Sequence, residues 1–178
     1  MERDLYDCIA KFGSPGFYTR HMKISQLGKA VATAVKCVPQ LKTVCAEAGL
    51  RPDGKPDINE DHLGIYVKTA PPKEQPGGPH AQLALLRRKR SQRLAWIGYE
   101  RSENDGLVPV VYLYCSERYA PRVAQNLKSQ FKSNLKRWGN DFAVYKDPAI
   151  TQEDRKWFVG VVRRLVELAQ RQRSHTKS

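Results

Sequence analysis

At 178 residues the chain has the length of one folded domain, large enough to bury a core and too short for several. Its 31 Lys and Arg against 18 Asp and Glu leave a net charge of +13, and 40% hydrophobic residues with three Trp and eight Tyr exclude a basic disordered tail. No apolar run approaches the roughly 20 residues of a membrane span, and residues 1–8 carry acids and lack the apolar core segment that a secretory signal needs.

Residues 4–12 predict a short amphipathic helix through Leu5, Cys8, Ile9 and Phe12, stopped by the Gly and Pro of 13–16. Ser25 is placed to cap a second helix. Pro39 cannot sit comfortably inside a helix, so the spacing predicts two pieces, 25–37 and 39–48, closed by Gly49. Their core positions include Val35, Val38, Leu41, Val44 and Cys45. A helix-turn-helix over 25–48 lacks the turn and recognition residues that such a motif needs. Residues 51–61 predict a turn-rich loop, 63–69 a strand and 71–79 a Pro/Gly loop.

Residues 93–101 and 107–115 are rich in aromatic and β-branched side chains, and Asn104-Asp105-Gly106 between them predicts a hairpin. Pro109 marks an edge position or a bulge. Residues 81–87 fit either a further strand or a basic helix; the strand is the favoured reading and makes 87–93 a basic turn. A helix over 119–138 follows from Val123, Leu127, Phe131 and Leu135 at i, i+4 spacing, and this row puts Phe131 in the core. Residues 142–145 form a short strand or packing segment. Thr151 caps a last helix whose apolar face is Trp157, Val161, Val162, Leu165, Val166, Leu168 and Ala169. The elements predict one α+β domain over 1–170, with a flexible basic tail at 171–178. Its parts are N-terminal helices, a small antiparallel sheet from 62–69 and 81–115, and two C-terminal helices packed on one face.

The charge is clustered. Arg87, Arg88, Lys89, Arg90 and Arg93 put five cations in seven residues with no acid between them, an arrangement costly to hold without an anion nearby. On the helix predicted over 119–138, Lys128, Lys132 and Lys136 form one i+4 stripe, joined by Arg118, Arg122 and Arg137. Trp96, Tyr99, Tyr112 and Tyr114 offer rings for stacking on bases beside these clusters, although core packing against the helices accounts for most of them. Alternation puts Trp96 and Tyr99 on opposite faces of a sheet and Tyr112 and Tyr114 on one.

Catalytic motifs are missing from the sequence. His21, His62, His80 and His175 have no metal-ligand spacing, and the phosphate-loop, nucleophile-elbow and dinucleotide glycine patterns are absent. Asp57, Glu60, Asp61 and His62 form the one oxygen-rich cluster, which reads as acidic turn residues before a strand. Cys8, Cys37, Cys45 and Cys115 sit among apolar neighbours without a C-x-x-C pair. They are expected as free thiols in a reducing compartment, the cytoplasm or a eukaryotic nucleus. The expectation is a non-catalytic protein that binds DNA or RNA through phosphate contacts, with low sequence specificity and no cofactor. The alternatives are an interaction module (an inhibitor or assembly factor) docking on an acidic protein, and an enzyme acting on nucleic acid.

Overall fold

A computed structural model describes residues 24–58, 61–68, 78–87, 93–101 and 107–174. The expected helix at 4–12 and the loop at 71–77 lie outside these residues. Six strands form one antiparallel sheet: β1 (Pro52–Ile58), β2 (His62–Lys68), β3 (Arg93–Arg101), β4 (Leu107–Leu113), β5 (Leu135–Trp138) and β6 (Asp141–Tyr145). Their order is β1-β2-β3-β4-β6-β5, a meander completed by a hairpin. Four α-helices among the described residues accompany it: α1 (Ile24–Glu47), α2 (Pro79–Leu86), α3 (Ala120–Phe131) and α4 (Asp154–Ser174). The α+β class and the C-terminal helices packed on one face are as expected. No helix among the described residues is long and apolar enough to cross a membrane.

Alternation along the strands explains why the helices cover one face. Leu63, Ile65 and Val67 on β2, Ala95, Ile97 and Tyr99 on β3, Val111 and Leu113 on β4, and Phe142 and Val144 on β6 all point into the main core. The helices bring Val38, Leu41 and Val44 of α1, Leu83 and Leu86 of α2, Val123 and Leu127 of α3, and the apolar face of α4, from Trp157 and Phe158 to Leu168 and Ala169, to the same core. All seven residues of the expected α4 face are buried, and Phe158 and Val159, which that face did not include, are buried with them. Cys45 and Cys115 are buried and Cys37 is half-buried, and all three are free thiols. Burial pushes the Cys45 thiol up to about 12, which leaves it inert.

Several elements depart from their sequence reading, each for an identifiable reason. α1 runs through Pro39 as one helix. The ring costs one backbone hydrogen bond, while the flanking Val38, Leu41, Val44 and Cys45 are all buried and hold both halves in line. The helix closes as expected: Gly49 adopts a positive φ of 71°, and the Leu50 amide donates to the Cys45 carbonyl at 2.7 Å. Residues 52–58 form a strand rather than a loop. Pro52 and Pro56 are tolerated because, among the described residues, β1 pairs with β2 alone and its register shifts between them.

Residues 79–86 form α2, not a strand. Pro79 starts the helix with a preset φ, and Leu83 and Leu86, three apart, are both fully buried. The basic run that begins at Arg87 therefore leads from a helix into β3 and does not tip a hairpin. Pro109 fits β4 because its carbonyl accepts from the Lys146 amide (2.9 Å) just beyond β6, so its missing N–H faces the point where β6 has ended.

The helix expected over 119–138 stops at Phe131. Lys132 adopts φ 44°, a 3-10 turn spans Lys132–Asn134, and β5 follows. Leu127 is buried as expected, but Phe131 and Leu135 only lean against the core. β5 and β6 are joined through Gly139 and Asn140, between paired Trp138 and Asp141, with Gly139 at φ 61°. Thr151 does not cap α4: the helix begins at Asp154, and the Trp157 amide bonds the Glu153 carbonyl at 3.0 Å. The tail expected from Arg171 is helical to Ser174.

Lys132 holds a backbone conformation that favours glycine. Lys132→Gly should raise stability by about 1 kcal/mol, read as a higher midpoint in urea with an unchanged slope.

Candidate nucleic-acid interface

The face of the sheet opposite the helices is built from the other half of each alternating strand. Cross-strand register places Tyr66, Trp96, Tyr112, Ala143 and Lys136 in one row across β2, β3, β4, β6 and β5. The next row is Asp57, Gly64, Gly98, Val110 and Tyr145, and beyond it His62 lies directly opposite Glu100. Trp96, Val110 and Ala143 form a second, small core here, with Tyr66, Tyr112, Tyr114 and Tyr145 half-buried around it.

Two glycines allow this arrangement. A Cβ on Gly64 would stand 2.3 Å from the Trp96 indole, and one on Gly98 would stand 2.6 Å from it. The indole therefore lies across bare backbone, 4% exposed, where any side chain would lift it. Tyr112 and His62 meet it edge-on, at ring-centre distances of 5.6 and 5.4 Å. The Trp96 indole N–H has no hydrogen-bond partner among the described residues.

Polar groups on this face are tied in two networks. Tyr112 donates to Glu100 Oε1, and Tyr145 donates to Glu100 Oε2 at 2.8 Å, so one carboxylate is held by two phenols. Burial, then the Glu100 hydrogen bond, pushes the Tyr112 phenol up; burial pushes Tyr145 up to about 12. Both phenols stay protonated donors at any ordinary pH. In the second network His62 Nε2 donates to Asp57 Oδ2 at 3.1 Å, and Tyr66 also bonds Asp57. Asp57, His62, Tyr66, Glu100, Tyr112 and Tyr114, with the Trp96 indole, line a hollow of about 180 Å³. A wider depression lined by Asp61, Arg101 and the 60% exposed Trp138 adjoins it, sharing His62, Glu100 and Tyr112.

Burial alone would raise the Asp57 carboxyl. Hydrogen bonds from His62 and Tyr66, with Arg93 nearby, outweigh that and hold it below the usual carboxylate range. A depressed carboxyl contributes stability that is present above its unfolded value of about 3.9 and lost as pH falls through the folded value. Wild type should therefore melt above Asp57→Asn at neutral pH. The gap between the two melting temperatures should close as pH is lowered below about 4.

The basic residues singled out from sequence divide between two sides. Arg93 and Lys136 come to the open face, where Arg93 stacks 4.2 Å from the Tyr66 ring centre and the Lys136 ammonium lies 4.6 Å from that of Tyr145. Arg137 stands next along β5 on the other side, 5.9 Å from the Phe142 ring, with its Nε donating to the Gly139 carbonyl. Arg122 and Lys128 are exposed on α3, in the helix layer, and Arg118 lies over Tyr119 just before it. Arg87 is half-buried at the end of α2, and Arg88, Lys89 and Arg90 lie outside the described residues.

The stripe of Lys128, Lys132 and Lys136 does not exist as a helical row, because these residues fall in a helix, a turn and a strand. Asp57 and His62 do meet, as their spacing allowed, but no group of three or more His, Cys, Asp or Glu fit to hold a metal occurs among the described residues. Sequence reasoning missed Tyr66, Glu100, Trp138 and Tyr145. The i, i+2 runs His62-Gly64-Tyr66 and Trp96-Gly98-Glu100 were the available signal, since alternation alone assigns each run to one face. No protein family, characterised protein or solved structure matches the chain.

Proposed function

We propose that the chain is a non-catalytic nucleic-acid-binding protein that lays an unpaired strand across the open face of its sheet. The observation that carries this reading is the pairing of rings with cations there: Tyr66 with Arg93 and Tyr145 with Lys136, beside the exposed Trp138. Stacked guanidinium and aromatic planes suit unstacked bases, and the cations beside them suit the phosphates between bases. Arg93 opens β3 at the margin of this face, and in the sequence it ends the run of cations that begins at Arg87. Most of the affinity then rests on backbone charge, which carries no sequence preference, in a compartment that keeps the thiols reduced.

Anisotropy of labelled oligonucleotides tests this. Single strands should bind more tightly than duplexes of the same length. With about six phosphates engaged, log K should fall with log salt at a slope of roughly −4 on a single strand. Lys136→Glu should weaken binding most at low salt, where screening is least. The triple variant Arg88→Ala, Lys89→Ala, Arg90→Ala should weaken it with stability moving by less than about 0.5 kcal/mol per site. A flat salt response, or no binding at low salt, would move the reading to docking on an acidic protein.

A second reading, an enzyme acting on nucleic acid, is favoured by one observation: His62, bonded to Asp57, is the direct cross-strand partner of Glu100 on the neighbouring β3. Accumulation of cleaved product from labelled RNA or single-stranded DNA, lost in His62→Ala, would establish it.

A further inference from the structure

We propose that the hollow on the open face is a pocket for one unpaired guanine, with Glu100 as the group that reads it. This deepens the nucleic-acid reading above and rests on it. The chain carries a net charge of +13, yet the hollow is lined by two carboxylates, Asp57 and Glu100. A phosphate placed there would be repelled by both, so the phosphates belong to Arg93 and Lys136 and the hollow takes a group that donates hydrogen bonds. Its walls are aromatic: Tyr66, Trp96, Tyr112 and Tyr114. A planar ring suits them. At about 180 Å³ the hollow falls below the roughly 300–1,000 Å³ of pockets for drug-sized ligands, a size for one ring system rather than a whole nucleotide.

Of the two carboxylates, Asp57 is engaged by His62 and Tyr66. Glu100 is fixed in place by Tyr112 and Tyr145, one on each oxygen, and each oxygen keeps a further lone pair. A carboxylate has acceptors only, so it selects a base edge with two adjacent donors. Guanine has that edge, in its ring N1–H and its exocyclic amino group. Adenine and cytosine put a ring-nitrogen acceptor beside their amino group, and thymine and uracil flank a single N–H with two carbonyls, so each sets an acceptor against Glu100. The tyrosines supply the positioning: a carboxylate already oriented loses little freedom when the base arrives.

The test uses the full chain and four labelled single strands, each a thymine nonamer with dG, dA, dC or dT at its centre, at about 0.15 M salt. The dG strand is expected to bind roughly tenfold more tightly than the other three, the scale of one good bidentate base contact. Glu100→Gln should abolish that preference and keep the salt slope. Lys136→Ala should weaken all four strands alike and leave the ratio intact, which preserves the test if Glu100→Gln fails to fold. Guanosine monophosphate should displace the dG strand, and tetramethylammonium should not.

Equal affinity for all four strands with a normal salt slope would overturn the guanine pocket and leave nucleic-acid binding standing. No binding of any strand would overturn both. Displacement by tetramethylammonium at lower concentration than by guanosine monophosphate would replace the base with a cationic ligand caged by the same rings.

Discussion

Phe142→Ala should lower stability by about 3–5 kcal/mol, the loss expected when a fully buried aromatic side chain leaves a cavity behind. Phe142 is 0% exposed in the main core, paired with Leu113 of β4 on one side and Arg137 of β5 on the other. Its removal opens the core where the last hairpin joins the sheet. For a chain of this size each kcal/mol moves the melting temperature by roughly 2–4 °C, so a fall of roughly 10 °C is expected in a thermal melt. Phe131, which sequence spacing put in the core, is half-buried at the end of α3 and should cost clearly less when truncated. Equal losses for the two variants would contradict this division of the core.

Gly98→Ala should be nearly as damaging, through crowding rather than a void. Its new Cβ would stand 2.3 Å from the Leu63 carbonyl oxygen and 2.6 Å from the Gly64 Cα. Both are backbone atoms and cannot rotate away, so β2 and β3 must separate and the Trp96 indole must lift. We expect a loss of about 3 kcal/mol, at the upper end of the overpacking range, together with weaker oligonucleotide binding as the open face deforms. Gly160 is the control. It sits inside α4 with nothing within 4 Å of an added Cβ, and Gly160→Ala should stabilise by about 0.5–1 kcal/mol. If both substitutions were neutral, the close approach at Gly98 would not be a property of the protein in solution.

The elements legible in the sequence are those whose pattern is strong over their own length. The β3–β4 hairpin showed itself through aromatic and β-branched residues around Asn104-Asp105-Gly106, and the apolar face of α4 through its helical period. The misread elements are short or locally ambiguous. β1 carries Pro52 and Pro56, and only its pairing with β2 makes it a strand. The apolar run of α2 is too short for its period to separate helix from strand. In α3 the i, i+4 row of Leu127, Phe131 and Leu135 continues past the point where Lys132 turns the chain, and nothing local to that row announces the change. The candidate site was legible only in part. Alternation put Trp96 and Tyr99 on opposite faces and Tyr112 with Tyr114, as the structure has them. Which strand lies beside which is a property of the whole sheet. The meeting of Glu100 with Tyr145, or of Arg93 with Tyr66, depends on register that no single segment encodes.

The margins of the sheet bear on how copies of the chain meet one another. One outer strand, β1, carries Pro52 and Pro56, each lacking the N–H that a docking strand would need. The other, β5, is four residues long and carries Lys136 and Arg137. Proline on one border and brevity with like charge on the other leave little template for a further strand, and a second copy approaching β5 meets the same two cations on itself. Among the described residues both borders of the sheet thus carry features that disfavour edge-to-edge pairing with a second copy, and Trp138 stands exposed at the end of the charged one.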